Sequence, residues 1–292
     1  MPFTEVWLVP VSAMFSGVCS VFIPYGIGGA LNHTDLVWPY ISAGGAFPPE
    51  SCIFGQLLNI TALLMGLTVY LRHRQMVTLY HHTMLRVDKW WRVASVLAMW
   101  LGLVAAFFTS MIGNFQETSI LIVHSISALI AFGGALIYMW IQSIFTFLLK
   151  PRLHPYWFCY VRLVICALGI PAFLAMNLGS VFDPPGDAAK KQKIPVRWTS
   201  DMQGYTGHLI DTFGEWVYAM LIFAYLLTFA VELKQCVLHA PKVELKAHVL
   251  NKLGAGNPDR WMVPSVNAGG DQKAGQTNYG STIDQGDSNL HT

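Results

Sequence analysis

The chain has 292 residues, of which 54% are hydrophobic and only 12% are charged, and its formal net charge is +2. An ordinary soluble domain carries roughly 25% charged residues, so this composition is that of a membrane protein and excludes a typical soluble domain. The small basic excess lies next to apolar stretches, which favours anionic lipid head groups as partners and argues against nucleic acid.

Long apolar stretches, free of charged residues, follow one another along the chain. Five can each cross a hydrocarbon core of ~30 Å, and a sixth can do so if residues 211–215 form its first turn. They lack the alternation of barrel strands, so they must be helices. The sequence predicts an all-α polytopic membrane protein, a six-transmembrane-helix bundle, with helices at about 6–31, 53–71, 93–112, 118–149, 163–181 and 212–231.

Residues 1–238 form the predicted membrane domain, and residues 239–292 form a tail. The tail is rich in Gly, Asn, Asp, Gln and Ser, so we expect it to be largely disordered. Fourteen Lys and Arg residues lie in segments 72–92 and 150–162 and after Val231, whereas the loop 181–212 holds four. Because basic loops face the cytosol, both termini and the tail are predicted to be cytosolic.

Polar residues occur at one predicted depth, in the outer half of the bundle. Pro49 and Glu50 suit the start of the second helix. Gln56 and Asn59 are three residues apart, so we expect them to share a face that looks into the bundle. Further candidates come from the connection GNFQE at 113–117 and from the start of helix six. The candidate polar or ligand cluster comprises Glu50, Gln56, Asn59, Glu117, His124, Asp211 and Glu215.

Three interpretations of this cluster remain open: a structural polar network, a binding pocket for a lipid head group or another polar ligand, and catalysis. The motifs of metallohydrolases, HxxxH and HExxH, do not occur in the sequence, nor does a GxSxG nucleophile motif or a Gly-rich phosphate loop. We therefore predict no catalytic residues, no metal ligands and no cofactor.

Three residues are candidate modification sites. Asn32 begins the glycosylation sequon Asn32-His33-Thr34 on the predicted exoplasmic side. Cys159 and Cys236 lie beside the membrane on the predicted cytosolic side, where palmitoylation can occur.

Several motifs resemble the damage-regulated autophagy modulator (DRAM) family, which belongs to a wider group that includes TMEM150-type membrane proteins. The resemblance spans roughly residues 5–235 in the same order. It is carried by PYISAGGAFPPESCIFGQLLNITA at 39–62, GNFQE at 113–117 followed by His124, QSIFTF at 142–147, the Tyr-Val-Arg-Leu at 160–163 and GEW at 214–216.

The resemblance implies six helices with cytosolic termini, residence in lysosomal, endosomal or plasma membranes, and regulation instead of enzymatic activity. We therefore predict a non-enzymatic regulator of autophagy or lysosomal function that binds lipid or a protein partner whose identity the sequence does not reveal. One alternative is a plasma-membrane adaptor for a phosphoinositide kinase, acting in lipid homeostasis. A second is a lipid-modifying enzyme, although Ser125 stands where the family has an acid after the helix-four histidine.

Overall fold

A computed structural model describes residues 3–83, 89–149, 153–186 and 197–239. Six helices in this part of the chain are long and apolar enough to cross a membrane, and no β-strand occurs in it. This confirms the prediction of an all-α, six-helix membrane protein. The helices are α1 Leu8–Ala30, α2 Glu50–Thr83, α3 Lys89–Asn114, α4 Leu121–Leu148, α5 Tyr156–Phe182 and α6 Tyr205–Leu233, with a short 3₁₀ helix at Ser42–Gly45.

Four of the helices, α2, α3, α5 and α6, extend beyond the predicted runs, whereas α1 and α4 lie within theirs. The prediction ended α2 at residue 71 and began α5 at residue 163, because Arg72 and Arg162 interrupt the apolar sequence. Both arginine side chains are fully buried inside the bundle, and the helices continue past them. α6 begins seven residues before the predicted position 212, directly after Gly204, whose φ of 90° suits glycine.

The six helices form a ring in which each packs beside its neighbours in sequence, and α6 returns to α1. Aromatic side chains fill much of its interior, among them Tyr218, Tyr225 and Phe229. The hydroxyl groups of Tyr218 and Tyr225 donate to backbone carbonyls of α4, each at 2.8 Å. Large apolar side chains such as Leu63 and Phe182 point outward, as expected for a surface that faces lipid.

The two ends of the ring differ. At one end, which we call the loop end, lie the connections α1–α2 and α3–α4 and the described parts of the α5–α6 connection, 183–186 and 197–204. The 3₁₀ helix Ser42–Gly45 packs there against α1 and α2. At the other end, the termini end, Phe3 and Leu238 exchange two backbone hydrogen bonds of 2.7 and 2.9 Å. The predicted topology places the loop end outside the cytosol, and this orientation stays a prediction. The predicted tail lies outside the described residues from residue 240 onward.

Candidate functional site

Three successive residues at the loop end each bind a different carboxylate. This segment, 40–42, precedes and enters the 3₁₀ helix. The Tyr40 hydroxyl donates to Asp211 Oδ2 at 3.3 Å, the Ile41 N–H donates to Glu215 Oε2 at 3.0 Å, and the Ser42 hydroxyl donates to Glu117 Oε2 at 2.7 Å. The segment is thereby attached both to α6 and to the α3–α4 connection.

Negative charge is concentrated around Tyr40. Burial raises the pKa of its hydroxyl, and the charges of Asp211, Glu215 and Glu117 raise that pKa further. The hydroxyl therefore stays protonated and remains a donor. Across the described ranges, none of the three carboxylates forms a salt bridge with Lys or Arg.

Asp211 also joins α5 to α6. Its Oδ2 atom accepts hydrogen bonds from the backbone N–H of Ser180, at 3.0 Å, and from the Ser180 hydroxyl. Its Oδ1 atom is buried and receives no hydrogen bond from the described part of the chain. Asp211 therefore has a packing role that the sequence spacing did not indicate.

Glu50 lies at the start of α2, as predicted, but it has a separate partner. Its Oε1 atom is 2.6 Å from Nδ1 of His33 in the α1–α2 connection, and its side chain is almost completely buried. Through Oε1, Glu50 therefore holds the α1–α2 connection at His33 and does not bind segment 40–42.

His124 lies in the first turn of α4 and is also buried. Its Nδ1 atom is 2.7 Å from the carbonyl oxygen of Phe115. A carbonyl can only accept, so Nδ1 carries a proton, and in the neutral imidazole Nε2 is left as an acceptor. Among the residues that the structure describes, nothing forms a hydrogen bond with Nε2.

His124 and Glu215 line a cavity of about 80 Å³ inside the ring, which we call the loop-end cavity. Its walls come from α1, α2, α3, α4 and α6 and from segment 40–42. Most of the lining is apolar, with Phe54, Leu58 and Ile222 among the wall residues. The polar lining residues are Ser20, Ser42, Thr61, Thr109, His124 and Glu215.

The structure thus brings Glu117, His124, Asp211 and Glu215 to segment 40–42 and the adjoining cavity, but it separates the two predicted amides from them. The prediction for Gln56 was wrong in orientation, since its side chain is exposed. At about 100° per residue, Gln56 lies about 200° from the buried Phe54, on the opposite side of α2.

Asn59 packs against α3 instead of the cavity. It exchanges two amide hydrogen bonds of 3.0 Å with Asn114 and accepts a third, at 2.6 Å, from the Ser110 hydroxyl. The pair joins two neighbouring helices and has no polar contact with the carboxylates described above.

Sequence reasoning missed a second polar centre, near the termini end. Glu232 lies between two arginines, with Oε1 at 2.9 Å from Arg72 and Oε2 at 2.7 Å from Arg162, and all three side chains are buried. We call this group the Arg–Glu–Arg triad. In the sequence, both arginines fall in segments that are predicted to be basic cytosolic loops. The useful signal was the helical spacing of Arg72 with Gln75 at the end of an apolar run.

The triad has one positive charge in excess, and neighbouring side chains stabilise it by accepting hydrogen bonds from the two guanidinium groups. Arg72 donates to Gln142 at 3.1 Å and to Gln75 at 2.6 Å, and Arg162 donates to Thr146 at 2.7 Å and to Thr228 at 2.9 Å. The Arg162 guanidinium also lies 4.7–5.1 Å from the ring centroids of Phe158, Tyr225 and Phe229. With its donors occupied by protein groups, the triad is a structural lock between α2, α4, α5 and α6.

The three candidate modification sites differ in how exposed they are. The palmitoylation prediction for Cys159 conflicts with the structure, because this thiol is buried and lies 3.8 Å from the Thr146 carbonyl. Cys236 is half-buried, and burial raises the pKa of its thiol. Asn32 is exposed, and its side-chain oxygen accepts a hydrogen bond from Arg197 at 3.3 Å. Modification of Cys236 and Asn32 stays a prediction.

Relatives with known names match most of the chain. DNA damage-regulated autophagy modulator protein 2 of Bos taurus is 31% identical over 244 residues, which cover 82% of this chain and 87% of that protein. DNA damage-regulated autophagy modulator protein 1 of Homo sapiens is 29% identical over 238 residues, 79% of this chain and 92% of that protein. Modulator of macroautophagy TMEM150B of Xenopus tropicalis is 31% identical over 183 residues, 60% of this chain and 75% of that protein.

No solved structure matches the chain. A family model described as the Frag1/DRAM/Sfk1/Cwh43P N-terminal domain matches residues 5–236, which include all six helices and both polar centres. The resemblance seen in the motifs at 39–62 and 113–117 is therefore confirmed. The chain belongs to the Frag1/DRAM/Sfk1/Cwh43P family of membrane proteins.

Proposed function

We propose that this chain is a non-enzymatic membrane modulator of autophagy that acts by binding a lipid in the loop-end cavity. The observation that carries the proposal is the cavity itself, which is mostly apolar yet has His124 and Glu215 in its wall. An ionisable residue among transmembrane helices is costly and commonly marks a functional site. The autophagy role is supported by the names of the relatives, which are autophagy modulators.

The hydrogen bonds at the site favour binding over catalysis. A His general base acts on a nucleophile within hydrogen-bond reach, but no hydroxyl or thiol group of the described residues forms a hydrogen bond with His124. The Ser42 proton is directed to Glu117 and not toward an imidazole. Within the described ranges, no group of three or more His, Cys, Asp or Glu side chains has the geometry to hold a metal ion. Glu117 thus holds segment 40–42 in place, and His124 holds the α3–α4 connection.

The same hydrogen bonds argue against a purely structural network. A closed network satisfies its buried polar groups with each other, as the Arg–Glu–Arg triad does. At the loop end, His124 Nε2 receives no hydrogen bond from the described residues, and the His124 side chain lines the cavity. This acceptor lacks a protein partner, and a ligand can supply one.

Lysosomal or endosomal membranes are the proposed location, since the relatives are named for autophagy. The alternative of a plasma-membrane adaptor for a phosphoinositide kinase relied on basic cytosolic loops. Two of the arginines counted in those loops, Arg72 and Arg162, are buried in ion pairs and are not available to a partner. The structure therefore supports the adaptor less than it supports lipid binding.

Filling the cavity tests the proposal. Ala128→Leu adds three carbon atoms at the cavity wall, and Ala167→Leu adds the same atoms at an exposed position on α5. In cells depleted of the protein, we expect the wild type and Ala167→Leu to restore autophagic flux, and Ala128→Leu to fail while reaching the same membranes in the same amount. Full restoration by Ala128→Leu would show that the cavity is not required.

A further inference from the structure

Every hydroxyl group that lines the loop-end cavity has an acceptor for its proton within the protein. Ser20 donates to the Gly17 carbonyl at 2.7 Å, and Thr109 donates to the Ala105 carbonyl at 2.9 Å. Thr61 lies 2.8 Å from the Leu57 carbonyl in the same arrangement. A hydroxyl group has a single proton, so these three side chains offer the cavity only lone pairs.

The remaining polar groups of the lining are acceptors as well. The Ser42 proton is directed to Glu117, and His124 presents Nε2 without a proton. Glu215 uses Oε2 to accept the Ile41 N–H, and its Oε1 receives no hydrogen bond from the residues that the structure describes. When Glu215 is ionised, every polar group of the lining is an acceptor and one of them carries a full negative charge, whereas a protonated Glu215 would supply one donor.

From this lining we infer that the loop-end cavity binds a primary alkylammonium group, held by Glu215 and His124 Nε2. The inference rests on the proposed function in that it takes the same cavity as the ligand site, and it specifies the chemistry of the group bound there. An ammonium group has three donors and no acceptor, which is the complement of the lining. A phosphate or carboxylate group would bring more acceptors and would be repelled by Glu215. An alcohol would supply one donor and add lone pairs that the described lining has no proton to satisfy.

His124 provides evidence for a ligand site that is independent of the carboxylates. Its side chain is only 7% exposed, it lines the cavity, and its Nε2 has no partner in the described ranges. In a side chain that is so nearly buried, an acceptor without a donor is costly, and an ammonium group there removes that cost. Ionised Glu215 supplies the counter-charge without which a cation would not enter the membrane-spanning part of a protein, and a bound ammonium group in turn favours that ionised form.

The size of the cavity limits what the amine can carry. About 80 Å³ is smaller than the ~150 Å³ cavity that accepts a benzene ring, so it accommodates the ammonium group and its first few carbon atoms. Two sources fit this chemistry: a short water-soluble alkylamine, or a long-chain amine whose remaining carbons lie between the helices. The shared feature is the ammonium head on an apolar chain.

The test uses the full chain, purified in detergent micelles, and three photoactivatable C18 probes that differ only in their head group: amine, alcohol and carboxylic acid. We expect the amine to label the wild type about tenfold or more above the other two, since a hydrogen bond to a charged group is much stronger than a neutral one. Glu215→Gln should reduce amine labelling to the level of the alcohol, whereas Glu5→Gln, at an exposed site, should not change it.

The outcomes separate the two proposals. Equal labelling by amine and alcohol that Ala128→Leu abolishes would overturn the ammonium inference and leave lipid binding in place. Labelling that Ala128→Leu leaves unchanged for all three probes would overturn both. The comparison of head groups on the wild type decides the question even if Glu215→Gln does not fold. Unlabelled butylamine that competes with the probe identifies a soluble amine as sufficient, and competition by octadecylamine alone identifies a membrane-borne one.

Discussion

Replacing Glu232 with Gln should destabilise the membrane domain more than any surface change of the same kind. The carboxylate forms ion pairs with Arg72 at 2.9 Å and with Arg162 at 2.7 Å, and the three side chains are at most 1% exposed. Glu232→Gln keeps the shape of the side chain but leaves two buried guanidinium groups without a counter-charge. Removing one partner of a buried ion pair costs about 3–5 kcal/mol.

That cost is large enough to measure directly. For a domain of this size, 1 kcal/mol corresponds to a melting-temperature change of roughly 2–4 °C, so the variant should melt about 6–20 °C below the wild type. The assay is thermal unfolding of the purified protein in detergent micelles, followed by tryptophan fluorescence. Glu5→Gln, which removes an exposed carboxylate, is the matched control and should melt with the wild type.

A double variant makes the interpretation sharper. In Glu232→Gln with Arg72→Gln, the buried net charge returns to one positive unit, the value of the native triad. The double variant should therefore lose less stability than the two single changes added together. A fall of less than about 2 °C for Glu232→Gln, or strict additivity in the double variant, would refute the view that the triad is an energetically coupled lock.

Three further predictions concern other parts of the bundle. Gly214→Ala would place a Cβ atom 2.5 Å from the backbone N of Met176, so α5 and α6 must separate, and unfolding experiments should show a loss of about 1–3 kcal/mol. Burial lowers the pKa of His154, so protonation of this side chain disfavours the folded state. The free energy of unfolding should therefore fall as the pH drops below the ordinary value of 6.5, and it should fall less in His154→Gln. Metabolic labelling with an alkyne palmitate should be the same in Cys159→Ser as in the wild type, because that thiol is buried, and any label should be lost in Cys236→Ser.

Each of these predictions has a control or a result that would contradict it. Gly26→Ala is the matched change on α1, where an added Cβ meets no atom within 4 Å, and it should leave stability unchanged. Stability that falls equally with pH in the wild type and in His154→Gln would show that His154 is not the titrating group. Loss of palmitate label in Cys159→Ser would mean that α5 opens at its first turn.

The number and class of the helices were predictable from the sequence because a bilayer imposes length and hydropathy on any span. The residues at which the helices begin and end were not predictable in the same way. Arg72 and Arg162 end apolar runs in the sequence, yet both helices continue through them, because Glu232 supplies a counter-charge from a distant helix. An ion pair between residues 70 or more positions apart cannot be recognised from a short stretch of sequence. Apolar runs therefore underestimate helix length wherever a charge is paired internally.

The candidate site was predictable in part, for a related reason. Glu117, His124, Asp211 and Glu215 were found because acids and histidines are rare in apolar runs. Their partners in segment 40–42 were not found, since a backbone N–H such as that of Ile41 has no signature in a sequence. The error at Gln56 arose from spacing alone: two residues that share a helix face still need a third, such as the buried Phe54, to show which face is inside.

The backbone pairing of Phe3 with Leu238 makes the membrane domain a closed circle along the chain as well as in space. α6 already neighbours α1, so the helix order has no privileged starting point in the packing. A circular permutant that begins at α4 and crosses from residue 238 to residue 3 through a short linker would keep every helix beside its present neighbours. The exposed residues 119 and 120 are a natural place for the new ends, since permutation succeeds most often at exposed loops.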